Sequence, residues 1–128
     1  MLTFKNSELE QVLLHISSYD KESQKLVGGL LSENLTLGTK RKLQKVHKPT
    51  HKLFEEFVAD FKTVQEGCKT GENEKGEPIY DQEKLKKELQ LLLDEEVKVD
   101  TEPIQLSQIE NISTEKNYNF DIIEKFAI

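Results

Sequence analysis

The chain has 128 residues, 35% of them hydrophobic and 33% charged, with a net charge of −6 and one cysteine. That length is about one domain, and the low apolar share limits it to a modest core under a heavily solvated surface. A lone Cys68 excludes an internal disulfide. No apolar run approaches the roughly 20 residues of a membrane-crossing helix, and the N-terminus lacks the order of an export signal, so the expectation is a cytoplasmic protein with no membrane contact.

In chain order, Leu2-Thr3-Phe4 alternates like a short edge strand. Asn6 or Ser7 then caps a helix whose inner face is Leu9, Val12, Leu13 and Ile16. Past Ser17-Ser18 that helix either stops or resumes, with Asp20 as cap, towards Leu30 and Leu31; Gly28-Gly29 argues for a break or a close contact. Thr39 is the natural cap of a long helix ending at Gly67, with Leu43, Val46, Leu53, Phe54, Phe57, Val58, Phe61 and Val64 at intervals of three and four. Pro49 lies inside it and predicts a kink, a break or a fresh start.

A polar joint over 68–80 is either a mobile loop or a small β-hairpin ending at Ile79-Tyr80. Asp81 caps the next helix, where Leu85, Leu89, Leu92 and Leu93 repeat the helical period. The two stripes are expected to bury each other, making an antiparallel helical hairpin over about 39–95 the core of a mainly α domain with two or three short strands. Val97-Lys98-Val99 alternates and pairs plausibly with Leu2–Phe4. Ile104-Gln105-Leu106 alternates too, although Leu106, Ile109 and Ile112 also suit a short helix capped by Ser107. Within the C-terminal part, 97–128, the tail bearing Phe120, Ile122, Ile123, Phe126 and Ile128, capped by Asp121, is apolar enough to dock on the body.

Chemistry is sparse. Lys40, Arg41, Lys42, Lys45, Lys48 and Lys52 form a basic run without an acid, leaving the remaining chain at −12. Such a run can contact phosphates, but no aromatic is interleaved to stack on bases, and the acidic chain as a whole repels nucleic acid. The plainer expectation is charge matching with Glu83, Glu88, Asp94, Glu95 and Glu96 on the partner helix. His47, His51 and Glu55 fall four apart, a spacing open to a metal ion, yet Lys45, Lys48 and Lys52 surround them and repel a cation. His15 reads as a packing residue. Asp94-Glu95-Glu96 do not share a helical face, Cys68 has no histidine nearby in sequence, and Gly38-Thr39-Lys40 lacks the order of a phosphate loop. No catalytic residue and no cofactor are expected.

The order of segments carries one resemblance. Phe4-Lys5-Asn6-Ser7-Glu8-Leu9, then Leu37-Gly38-Thr39-Lys40-Arg41-Lys42-Leu43, then a long charged helix, a Gly-rich joint, Lys86-Lys87-Glu88-Leu89 and Leu92-Leu93-Asp94-Glu95-Glu96-Val97 resemble small proteins encoded in tailed phages and prophages. The segment from Ser18 to Asn34 is extra relative to that pattern. The resemblance implies a phage or mobile-element origin, a place in host cytoplasm or virion, and a non-catalytic role, and it supplies no site residues. The expected function is thus a small interaction or assembly protein acting through a helical surface, on a protein partner or on itself, with Phe120, Ile123 and Phe126 in the contact. The alternatives are a polyanion binder using the basic run and a metal-binding protein or enzyme using His47, His51 and Glu55.

Overall fold

The computed structural model describes residues 1–19, 22–23, 26–109 and 118–128. The order is β1 (Leu2–Lys5), α1 (Leu9–Ile16), β2 (Ser18–Tyr19), β3 (Leu26–Gly28), α2 (Leu37–Gly67), β4 (Lys69–Glu72), β5 (Pro78–Tyr80), α3 (Gln82–Asp94), β6 (Glu96–Val99) and α4 (Phe120–Ile123). The fold is mainly α, with strands paired two by two, all antiparallel, as β1–β6, β2–β3 and β4–β5.

The strand expected to close the ends does so. Leu2 stands opposite Val99 and Phe4 opposite Val97, so the alternation places Leu2, Phe4 and Val99 in the core and Thr3 and Lys98 in solvent. Between β1 and α1 a 3-10 turn spans Asn6–Glu8, where the Lys5 amide donates to the Glu8 carboxylate at 2.8 Å. Asn6 is no helix cap: its side-chain amide donates to the Leu92 carbonyl at 2.9 Å and its backbone N–H to the Glu95 carbonyl at 3.0 Å, tying β1 to the end of α3.

After Ser17 the chain does not resume a helix; it folds back as β2–β3 and makes a 3-10 turn at Leu30–Ser32. Asp20, the expected cap, lies outside the described residues. Gly29 holds φ at +83°, and a Cβ there would meet the Ser17 Cα and N at 2.6 Å, so the double glycine marks a close backbone approach.

The long helix starts three residues earlier than a Thr39 cap implies. Thr36, not Thr39, is the cap, accepting the Thr39 N–H at 3.2 Å, while Thr39 turns inward and shares a 2.9 Å hydroxyl contact with Thr36. Pro49 neither breaks α2 nor starts it: the helix is continuous from Leu37 to Gly67. In the same turn the buried Thr50 hydroxyl donates to the Val46 carbonyl at 2.6 Å, a different carbonyl from that of Lys45, whose helical donor Pro49 removes.

The core does not lie where the two stripes meet. Its fully buried members come from β1, β6, α1, the first half of α2 and the C-terminal tail, with Leu9, Val12 and Ile16 of α1 packed on Leu43 and Val46 of α2. In α2 only Thr39, Leu43, Val46 and Thr50 are buried, and α3 buries no residue. Leu53, Phe54, Phe57, Phe61 and Val64 are half-buried, as are Leu85, Leu89, Leu92 and Leu93. The reason is geometric: beyond the body only two helices face each other, and each covers one side of the other. Asp81 does cap α3, accepting the Lys84 N–H at 3.2 Å, and β4–β5 is the hairpin alternative for the polar joint.

The tail docks as expected, and in doing so it leaves the surface. Ile123 and Phe126 are fully buried, so neither offers a contact to a partner; Phe120 alone of the three expected contact residues is exposed. Asn119, not Asp121, caps α4. Ile104 donates to the Phe126 carbonyl at 2.9 Å and accepts from Ile128 at 2.8 Å, in a parallel bridge with Ala127. A 3-10 turn occupies Leu106–Gln108, and Ile112 lies outside the described residues.

Gly29→Ala is expected to cost ~3 kcal/mol or more, since the new methyl meets backbone at a positive φ. Thermal unfolding measures this, and a midpoint equal to that of the parent chain would show that the Ser17 approach is not fixed.

Candidate interaction surface

The helical period sorts the long helix into two faces. Leu43, Val46 and Thr50 point into the body, and Arg41, Lys45, Lys48 and Lys52 lie on the opposite side, all exposed. Lys42 is exposed and Lys40 half-buried at the flanks of this ridge. The expected matching with acids of α3 is absent: among the described residues none of the six cations is ion-paired with a carboxylate. The ridge faces away from the body while α3 lies along the inner side of the helix, out of reach. Glu102 lines one hollow with Lys42 and Lys45 without forming an ion pair.

Farther along α2 the inner face is aromatic. Ring centroids of Phe54 and Phe57 are 6.3 Å apart and those of Phe57 and Phe61 6.2 Å, in tilted and edge-on arrangements. Phe54, Phe57, Val58 and Phe61 line an open hollow of about 350 Å³, with Glu10 of α1 at its rim. Leu91 of α3, 64% exposed, lies in a second shallow hollow with Glu83, Lys86, Lys87 and Gln90. The arm of distal α2 and α3 thus shows apolar surface on both helices.

The three residues considered for a metal do not converge. His47 and His51 stack face to face at 5.9 Å and 15°, and His51 Nδ1 lies 3.1 Å from Glu55. His47 Nε2 turns the other way, 2.9 Å from the Ser17 hydroxyl. Among the described residues no group of three His, Cys, Asp or Glu side chains is placed to hold a metal ion.

The Ser17–His47 pair was not visible in the sequence, because 30 positions separate the partners and Ser17 belongs to a segment without periodicity. Only the inward flank of His47, one residue past Val46, hinted at it. The pair has the separation of a nucleophile and its base, but Ser17 is 7% exposed and His51 contributes a ring face where an orienting acceptor would be needed. Its role is to pin the end of α1 to α2. Burial, reinforced by the neighbouring His51, holds His47 below the usual histidine range.

Two further ties hold the tail to the body, one to α1 and one to the end of the Leu30–Ser32 turn. The Asn119 N–H donates to His15 Nε2 at 3.1 Å, which leaves the proton on Nδ1 to donate to the Gln11 carbonyl at 2.7 Å. Tyr118 donates to the buried Glu33 carboxylate at 2.7 Å; burial and that carboxylate raise its phenol well above the usual tyrosine range. Cys68 is buried at the C-cap of α2, its carbonyl accepting the Asp81 N–H at 2.8 Å. No helix among the described residues is long and apolar enough to cross a membrane. Comparisons with protein-family models, with curated proteins and with solved structures returned no match.

The His47 shift fixes a pH dependence. A base whose folded pKa is depressed is protonated more readily in the unfolded chain, so its contribution is intact above the ordinary histidine pKa of about 6.5 and is lost as pH falls below it. Stability should therefore decline between about pH 7 and pH 5, and His47→Gln should decline less steeply over the same window. Denaturant unfolding at a series of pH values checks this, and parallel profiles for the two chains would refute it.

Proposed function

We propose that the protein is a non-catalytic interaction or assembly module, and that its working surface is the antiparallel helical hairpin formed by the distal half of α2 with α3. One observation carries the reading: α3 keeps a regular apolar stripe that is nowhere fully buried, and the aromatic stripe of α2 likewise stays half-exposed. Periodic apolar surface left uncovered on a small protein is the usual mark of a protein-binding face. A phage-encoded assembly role fits, and it rests on the resemblance in segment order alone.

A second reading, a polyanion binder using Lys40, Arg41, Lys42, Lys45, Lys48 and Lys52, is favoured by the absence of ion pairs along that run. It requires binding to an oligonucleotide that weakens steeply with salt.

The arm reading is tested with Phe61→Ser combined with Leu91→Ser. The double variant should cost only ~1 kcal/mol, against ~3–5 kcal/mol for truncating the buried Phe4 to Ala. It should also clearly reduce the fluorescence of a dye that binds exposed apolar surface. Failure of the native chain to bind the dye, or unfolding of the double variant like a core variant, would make the arm merely structural.

A further inference from the structure

The outer face of α2 carries its charges in the order that a helix by itself disfavours. Residues 40–52 hold six cations and no acid, and residues 53–67 hold Glu55, Glu56, Asp60 and Glu66 against Lys62. The macrodipole favours acids at the start and bases at the end, yet the first turn of α2 has no acid and the last turn no base. Arg41, Lys45, Lys48 and Lys52, then Glu55, Glu56, Asp60 and Glu66, are all exposed, and among the described residues only Glu55 of these has an ionic contact, with His51. This segregation therefore does nothing for the isolated helix.

A straight ridge that is positive along one half and negative along the other is complementary to itself when turned end for end. We infer that a second copy of this chain docks along the outer face of α2, antiparallel, about a two-fold axis near Leu53 and Phe54. Across that axis Arg41 faces Glu66 of the second copy and Lys52 faces its Glu55 and Glu56. Lys48 and Asp60, like Lys45 and Lys62, come level with each other, but the helical period sets the members of each pair on different flanks of the ridge. The contact runs from 41 to 66, about 38 Å at the rise of an α-helix. The two helix dipoles oppose, and each contact occurs twice, as two-fold symmetry requires. A parallel, staggered arrangement would also match charges, but it leaves unmatched ends and grows without closing.

The same order of charge argues against nucleic acid as the occupant. The cationic half is only about 16 Å long, and the acidic half continues it in a straight line, where a phosphate backbone would be repelled. The ridge has little apolar area of its own, so electrostatics set direction and register. The hollow of Phe54, Val58 and Phe61 lies on the inner face of α2, away from this ridge, and takes no part in the contact. The association is expected in the weak, salt-sensitive class. This inference concerns the outer face of α2 and goes beyond the arm reading, which concerns its inner face.

Sedimentation equilibrium of the full chain, from about 5 to 500 μM in about 50 and 500 mM NaCl, tests it. The expected result is a two-chain species at low salt whose affinity falls at least about tenfold at high salt. Arg41→Glu/Lys48→Glu/Lys52→Glu should be a monomer, as should Glu55→Lys/Glu56→Lys/Glu66→Lys. An equimolar mixture of the two should form the two-chain species again, to within about tenfold of the parent affinity. Both charge reversals follow the dipole preference, so circular dichroism should show full helicity. Should either variant misfold, Arg41→Gln/Lys48→Gln/Lys52→Gln must still weaken the association.

A parent chain that stays monomeric throughout overturns the inference, as does an open-ended polymer or a dimer indifferent to salt and to both reversals. A monomer that instead binds a single-stranded oligonucleotide through the basic half overturns it in favour of the polyanion reading. Loss of self-association with the dye response of Phe61 and Leu91 intact rejects this inference and leaves the arm reading standing; loss of the dye response rejects the arm reading.

Discussion

The packing of α1 across the first half of α2 is the contact on which the rest of the molecule depends. Leu9, Val12 and Ile16 meet Leu43 and Val46 with no solvent access, and the Ser17–His47 bond closes the end of that contact. Around it the termini are drawn in: β1 pairs with β6, and the tail places Ile123 and Phe126 in the same core. α1 has 8 residues and α2 has 31, so the shorter helix covers only one half of the longer. The other half buries no residue fully, and α3 packs against α2.

That asymmetry explains what could be read from the sequence and what could not. Strand pairing of Leu2–Phe4 with Val97–Val99 was legible because alternation fixes both face and register in a short strand. The cap at Asp81 was legible because a short acceptor side chain before a periodic run has one economical use. The direction of the α2 stripe was legible as well, but its depth was not: periodicity reports which side is apolar and says nothing about what arrives to cover it. Leu43 and Leu53 look alike in sequence; the first is fully buried in the core and the second packs against it only in part.

The same limit wrongly assigned two residues of the docked tail, Ile123 and Phe126, to a partner contact. Phe120, Ile123 and Phe126 signalled a sticky segment, and apolar density does not distinguish a surface that binds from a surface already bound. Thr36 and Thr39 illustrate a local version, since two threonines three residues apart both engage the first turn and only the outer one caps it. Long-range polar ties such as Asn6 to Leu92 and Tyr118 to Glu33 leave no periodic trace, because each is one side chain meeting one acceptor more than 80 residues away.

Pro49 gains its meaning from the arm. A proline at mid-helix costs a hydrogen bond and invites a kink, and the local sequence argued for a division there. Yet the helix continues through it, with Val46 and Thr50 on either side of Pro49 buried in the body. Continuity is what makes the basic and acidic halves collinear. Were α2 broken at Pro49, the cations would stay with the body, the acids would swing with α3, and no single face could match its own inverted copy. The rigidity that carries the aromatic stripe out of the core is the same rigidity that aligns its charges, so one helix determines both where apolar surface is left uncovered and which way round a partner must lie.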